Sequence, residues 1–191
     1  MTTLDERLLD VIEHDVVPLT RVGVALGNKL FGAAILLRED LSVVVAATNN
    51  EVENPLWHGE IHAIKLFHER KETPDPAGCV FLATHEPCSL CLSGIAWGGF
   101  PEVHYLFSHQ DSADSFAIPH DLRILRAVYA VPDPDRSEPA PGRDLYNRSN
   151  DFFTSRPIAA ERDRLARLQA TYAELSATYQ ASKGGAGIPH A

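Results

Sequence analysis

Residues 79–91 read CVFLATHEPCSLC, and the fold class turns on how this stretch is read. The unbroken apolar run from Cys79 to Thr84 predicts a buried strand. Pro87 suits the first turn of a helix, because its missing N–H would have no partner there. The chain is therefore expected to pass from strand to helix at Pro87 or Cys88. Cys88 and Cys91 then project from one first turn, where the unpaired N–H groups of the helix favour thiolates. In a reducing compartment such a C-x-x-C serves metal or redox chemistry. Cys79 opens the apolar run and reads as a buried small hydrophobe.

Upstream, FGAAILL (31–37) and LSVVVAAT (41–48) predict two strands joined by the polar turn 38–40, an antiparallel hairpin. A helix is expected from His58 to about Lys71, where TPDPAG breaks it. Another covers about residues 4–17, with Leu4, Leu8, Val11 and Ile12 on one face and Thr3 and Glu6 at capping-box spacing. Downstream, the helix after Cys88 should stop at Gly98-Gly99. EVHYLFS (102–108) predicts a fourth strand, Leu122–Arg126 a short helix and AVYAV (127–131) a fifth strand. Strands alternating with helices imply a layered α/β domain with a mixed sheet. That domain is expected to occupy residues 1–131, followed by a Pro-rich excursion over 132–157. Pro157 should open a final helix over 158–180, in which Leu165, Leu168, Tyr172, Leu175 and Tyr179 form a packing stripe against the domain or a partner subunit. A flexible tail, 181–191, completes the chain.

His58-Gly59-Glu60 and Pro87-Cys88-Ser89-Leu90-Cys91 each fall where a helix should begin. One imidazole and two thiolates make three protein ligands for a tetrahedral zinc, leaving the fourth position to water, as in a catalytic site. Glu60 lies two residues beyond the histidine, placed to move protons without being a ligand. The spacing from His58 to Glu60 is not that of the H-E-x-x-H proteases, so His62 reads as a supporting or packing residue.

The ordered pair His-x-Glu and Pro-Cys-x-x-Cys resembles the cytidine and deoxycytidylate deaminase superfamily, whose signature it is. The resemblance spans about residues 25–131. It implies a three-layer α/β/α fold with a mixed five-stranded sheet, to which this chain would add the C-terminal helix. It also implies Zn2+ bound by His58, Cys88 and Cys91, Glu60 as the proton-moving group, and a homodimer. Phe31-Gly32-Ala33 and Thr84-His85-Glu86-Pro87-Cys88 resemble the nucleobase and tRNA branch, which carries Phe31 and Asn49 over as substrate-binding residues. Gly59 departs from the alanine of many relatives, and His-Gly-Glu is similar to fungal cytosine deaminases. Asp114-Ser115-Phe116 is similar to a segment of bacterial guanine deaminases, which would bring Asp114 to the substrate.

The net charge of −9 is unevenly distributed: residues 1–141 carry 10 basic and 21 acidic side chains. The cluster Arg156, Arg162, Arg164 and Arg167 is diluted by Glu161 and Asp163 and reads as a solvated helix face. That balance disfavours a polynucleotide and favours a small-molecule substrate. No apolar run approaches the roughly 20 residues that span a bilayer, and the acidic, amphipathic N-terminus is unlike a targeting peptide, so a cytoplasmic protein is expected. The expected activity is hydrolytic deamination of a nucleobase, nucleoside or related heterocycle with release of ammonia. Deamination of adenosine in tRNA and a catalytically silent zinc-binding scaffold are the alternatives.

Overall fold

The computed structural model describes residues 3–128 and 153–182. Five strands, β1 (Gly32–Leu37), β2 (Val43–Thr48), β3 (Cys79–His85), β4 (Glu102–Phe107) and β5 (Thr154–Pro157), form one sheet in the order β2-β1-β3-β4-β5. β1 runs antiparallel to both β2 and β3, whereas β3–β4 and β4–β5 are parallel. The mixed sheet follows from the connections. A tight turn can only return the chain antiparallel, while a helical crossover lets the next strand run parallel.

Both faces of the central strands are buried, so their side chains alternate between two cores. Ala33, Ile35 and Phe81 face α3 (Gly59–His68) and α4 (Ser89–Trp97), in a cluster with Phe67, Ile95 and Phe100. Ala34, Leu36, Val80 and Leu82 face the opposite layer, where Leu8, Ile12 and Val16 pack with Leu168, Tyr172 and Leu175. The latter three belong to α7 (Arg162–Ser182). Cys79 is fully buried in the first cluster, as a small hydrophobe should be.

Helical structure continues past its expected end. α1 (Leu4–Val11), opened by the Thr3–Glu6 capping box, runs through a π-turn over Ile12–Val16 into α2 (Val17–Ala25). Pro18 looks like a stop. It has no N–H to give to an earlier carbonyl and its ring crowds that turn, and the widened π-turn just before it accommodates both defects.

The fifth strand was expected in the wrong place. Ala127 and Val128 are the last residues of α6 (His120–Val128), a helix that overruns the short one expected at 122–126, and residues 129–131 lie outside the described residues. The sheet takes β5 from the end of the stretch assigned to the Pro-rich excursion. Pro157 closes that strand, paired with Tyr105, and the final helix begins at Arg162. TSRP carries no apolar pattern because it is an edge strand with Thr154 and Arg156 exposed, a position that tolerates proline. The helix α5 (His109–Asp114), opened by a Ser108–Asp111 capping box, was not foreseen. Residues 132–152 of the excursion and 183–191 of the expected tail lie outside the described residues.

Glu102 fastens this edge. It accepts from Arg38 Nη1 at 2.5 Å, His104 Nε2 at 2.5 Å and Arg156 Nη2 at 3.1 Å, linking β1, β4 and β5. Partial burial works against the carboxylate, but the hydrogen bonds and charges of His104 and Arg38 outweigh it and hold Glu102 at about 2. A carboxylate lowered in the folded state contributes stability that is complete above its ordinary value, near 4.5, and lost as the pH falls toward 2. Glu102→Gln should therefore flatten the acid limb of the stability profile between those values. Urea unfolding at stepped pH checks this, and an unchanged acid limb would remove Glu102 from the account.

Candidate active site

Two helix N-termini converge beside β1. β2 ends at Thr48 and a loop leads to His58, the N-cap of α3; β3 ends at His85 and leads through Pro87 to Cys88, the N-cap of α4. The His58 side chain makes no capping bond to its own helix and is turned to another use. Gly59 explains how α3 comes so close to the sheet. A Cβ at this position would lie 2.8 Å from Gly32 Cα, against backbone that cannot rotate away. An alanine would crowd here.

His58 Nδ1 lies 3.5 Å from Cys88 Sγ and 3.6 Å from Cys91 Sγ, and the two sulfurs are 3.5 Å apart. Zn–S bonds of about 2.3 Å and a Zn–N bond of about 2.0 Å at tetrahedral angles subtend edges of about that length. The donor set and its triangle therefore fit a zinc ion. Asp10, Glu13 and His14 also approach one another, but Asp10 and Glu13 bind Arg164 at 2.6 and 2.8 Å.

The electrostatics suit ligation and proton transfer. A hydrogen bond from Cys91, the N–H groups at the foot of α4 and the His58 imidazole hold the Cys88 thiol well below its usual range, against the effect of burial. Glu60 is buried with Oε2 3.4 Å from Cys91 Sγ. Burial and then the Cys88 charge push it up to about 7, where a carboxyl both takes and gives protons near neutrality.

A cavity of about 300 Å³ opens above His58 and Cys88. Phe31, Leu56, Leu90, Ile118 and Ile124 make apolar walls, while Lys29 and Asp121 add one charge of each sign. This size and lining suit a flat heterocycle held by a few polar contacts.

Not every residue expected at the substrate lines the cavity. Phe31 lines the cavity. Asn49 is buried behind it: its Oδ1 accepts the Gly59 N–H at 2.6 Å, and its Nδ2 donates to Glu51 at 2.9 Å. Asp114 is exposed at the end of α5 and bonds Gln110, so the three-residue likeness does not bring it to the cavity. The carboxylate in the wall is Asp121, raised to about 6 by burial and then by the Cys88 charge. Asp121, Lys29 and Glu51 were missed because isolated charges beside turns read as solvated surface. His62 bonds the Thr48 carbonyl through Nδ1 at 2.8 Å and stacks on Trp57, a packing role. His85 is enclosed by the rings of Phe31, Phe107, Phe116 and Tyr172, and burial lowers it well below its ordinary range, so it stays neutral.

Residues 17–107 match the cytidine and deoxycytidylate deaminase zinc-binding region. The match covers 91 of the 191 residues, a little under half of the chain. The matched region contains both halves of the signature and four of the five strands; β5 and α7 lie beyond it. A curated relative, the guanine deaminase of Bacillus subtilis (strain 168), is 29% identical over 87 residues, which are 44% of this chain and 54% of that protein. The match thus spans about half the relative's length. Among solved structures, a guanine deaminase from Nitrosomonas europaea superposes with a TM-score of 0.59 at 18% identity, covering 93% of this chain and 86% of the other. The Bacillus subtilis guanine deaminase structure gives 0.53 at 22% identity, covering 84% and 91%. At these identities the likeness establishes the fold, including the C-terminal elements outside the matched region.

The close approach at the foot of α3 has a measurable consequence. Gly59→Ala should destabilise the protein by about 1–3 kcal/mol, the usual cost of overpacking, because the clash is with backbone. An unchanged unfolding midpoint in denaturant would show that α3 has room to shift.

Proposed function

We propose that the chain is a zinc-dependent aminohydrolase that converts an exocyclic amine of a small heterocycle, in the first instance a nucleobase, to a carbonyl with release of ammonia. The observation that carries this reading is a tetrahedral-face triangle of His58, Cys88 and Cys91, of which His58 and Cys88 line an apolar cavity, with the buried Glu60 carboxyl 3.4 Å from Cys91 Sγ. His58 Nδ1 and the two sulfurs would hold the zinc, whose Lewis acidity makes water a nucleophile at neutral pH.

Glu60 does the proton work. Raised to about 7, it takes a proton from the attacking water and delivers protons to the ring nitrogen and the departing amine. One water is consumed, one C–N bond breaks, and a carbonyl and ammonia remain. Phe31 offers a ring edge or face to the base, and Asp121 an acceptor for its N–H groups. Asn49 contributes by fastening the Gly59 N–H. Guanine is the first substrate to test, given the relatives' activity and a pocket carboxylate able to accept from a purine's N–H donors.

A small molecule is favoured over tRNA by the 21 acidic against 10 basic side chains of residues 1–141, and two of the arginines beyond the matched region are held by carboxylates. Arg164 is bound by Asp10 and Glu13, and Arg156 by Glu102. The reading extends to a cytoplasmic homodimer. Thiols kept free of disulfides suit a reducing compartment, and Leu19 and Val22 of α2 with Leu26 at its C-cap leave an exposed apolar row suited to a second copy. No helix among the described residues is long and apolar enough to cross a membrane. The domain that carries this activity extends beyond residue 131 to include β5 and α7, which complete its sheet and core.

Glu60→Gln should keep zinc and fold while turnover falls by at least about 10²-fold, the lower end for loss of a general acid–base group. Cys88→Ala and Cys91→Ala should lose zinc, and Cys79→Ala should retain it. Elemental analysis and an ammonia-release screen of the zinc-loaded chain on bases, nucleosides, pterins and tRNA check these outcomes. Near-normal turnover by Glu60→Gln would remove that residue from the mechanism. Efficient release from tRNA with no monomer turned over would move the activity to the polymer.

A further inference from the structure

A buried carboxylate stands on the side of His58 opposite the thiols. Glu51, in the loop after β2, has a side chain with 0% exposure. Its Oε1 accepts from Lys29 Nζ at 2.8 Å, and its Oε2 from the Lys29 backbone N–H at 3.2 Å and Asn49 Nδ2 at 2.9 Å. Three donors thus fix the carboxylate plane, and Lys29 supplies the counter-charge without which a buried carboxylate is costly. Oε1 also lies 3.8 Å from His58 Nε2, an ion-pair separation.

The two ring nitrogens of His58 therefore have different neighbours. Nδ1 faces both sulfurs, so a neutral imidazole that ligates through Nδ1 carries its one proton on Nε2, toward Glu51. A carboxylate in that place holds the tautomer, restrains ring rotation and strengthens Nδ1 as a donor. The same carboxylate holds Asn49, whose Oδ1 takes the Gly59 N–H, so one polar network reaches both the ligand and the start of the helix that carries Glu60. A loop-fastening role alone would be served by a neutral amide and would need no buried cation.

We propose that Glu51, with Lys29 as its counter-charge, is the positioning residue for His58 and sets the strength of the metal site. This rests on the reading of His58, Cys88 and Cys91 as the ligands.

The test titrates the zinc-loaded full chain with a competing chelator and records the ligand-field spectrum after cobalt substitution. The variants are Glu51→Gln, the pair Lys29→Met with Glu51→Gln, and Cys88→Ala. Glu51→Gln retains much of the shape and an acceptor for Asn49 but loses the charge facing Nε2. Zinc affinity should fall by about 10- to 100-fold, the range for loss of such an outer partner, with shifted cobalt bands and an unchanged far-ultraviolet circular dichroism spectrum. If Lys29 left without a counter-charge prevents folding of the single variant, the double variant removes that charge and should show the same loss of affinity. Wild-type affinity and cobalt bands in a folded Glu51 variant, with zinc lost in Cys88→Ala, would overturn the proposal alone. Zinc held normally by Cys88→Ala would overturn the ligand reading and this proposal with it.

Discussion

At the foot of α3 the backbone of Gly59 lies against that of Gly32 with no space for a methyl group between them. Gly32 is equally confined on its other side, since a Cβ there would meet Val16 at 2.5 Å. The start of β1 is thus held between the π-turn of the first helix and the N-terminus of α3. Any side chain at either glycine would separate layers that must touch. Through this contact the helix bearing His58 and Glu60 is set at a fixed height above the sheet, level with the Cys88 N-cap delivered by β3. The site is a consequence of that height. A shift of one ångström in α3 would open the triangle of donor atoms, whose edges leave little tolerance for a metal ion.

Polar groups buried around this contact are paired in a way that serves the site. The Asn49 amide caps the otherwise unpaired Gly59 N–H and reaches Glu51, which Lys29 neutralises. His58 stands between this network and the two sulfurs. At Glu60, by contrast, burial and the Cys88 charge outweigh the lowering effect of His58 and raise it into the range where proton exchange is easy. Two buried acidic side chains, Glu51 and Glu60, thus receive opposite treatment: one is held by three donors, the other is raised by burial.

The C-terminal elements complete the core. α7 lays Leu168, Tyr172, Leu175 and Tyr179 against the first helical layer and the sheet, and Tyr172 closes an aromatic enclosure around His85. Arg164 ties the same helix to Asp10 and Glu13. The face opposite the metal triangle is therefore packed and pinned by residues far away in sequence, and the cavity is left on the side bounded by Phe31, Leu56 and the start of α6.

The sequence by itself determined the hairpin, β3, β4, the helices after His58 and Cys88, and the identity of the candidate ligands, because each rests on local signals. Those signals are apolar runs of strand length, proline at a helix start, paired glycines at a stop, and two cysteines within one turn. It also carried the α7 stripe, whose spacing is that of a helix. Only the tertiary structure decided where the sheet ends. β5 is a four-residue edge strand whose identity comes from backbone pairing with β4 and not from its own composition, while residues 127–128, apolar enough to read as strand, close an amphipathic helix. The same holds for the pocket charges. Asp121 replaced Asp114, and Lys29 and Glu51 emerged as partners, because a charge beside a turn looks solvated until the fold shows which of them has been enclosed with an opposite charge. Gly59 was legible as a departure, but its reason, the backbone of a strand nearly thirty residues earlier, exists only once the layers are packed.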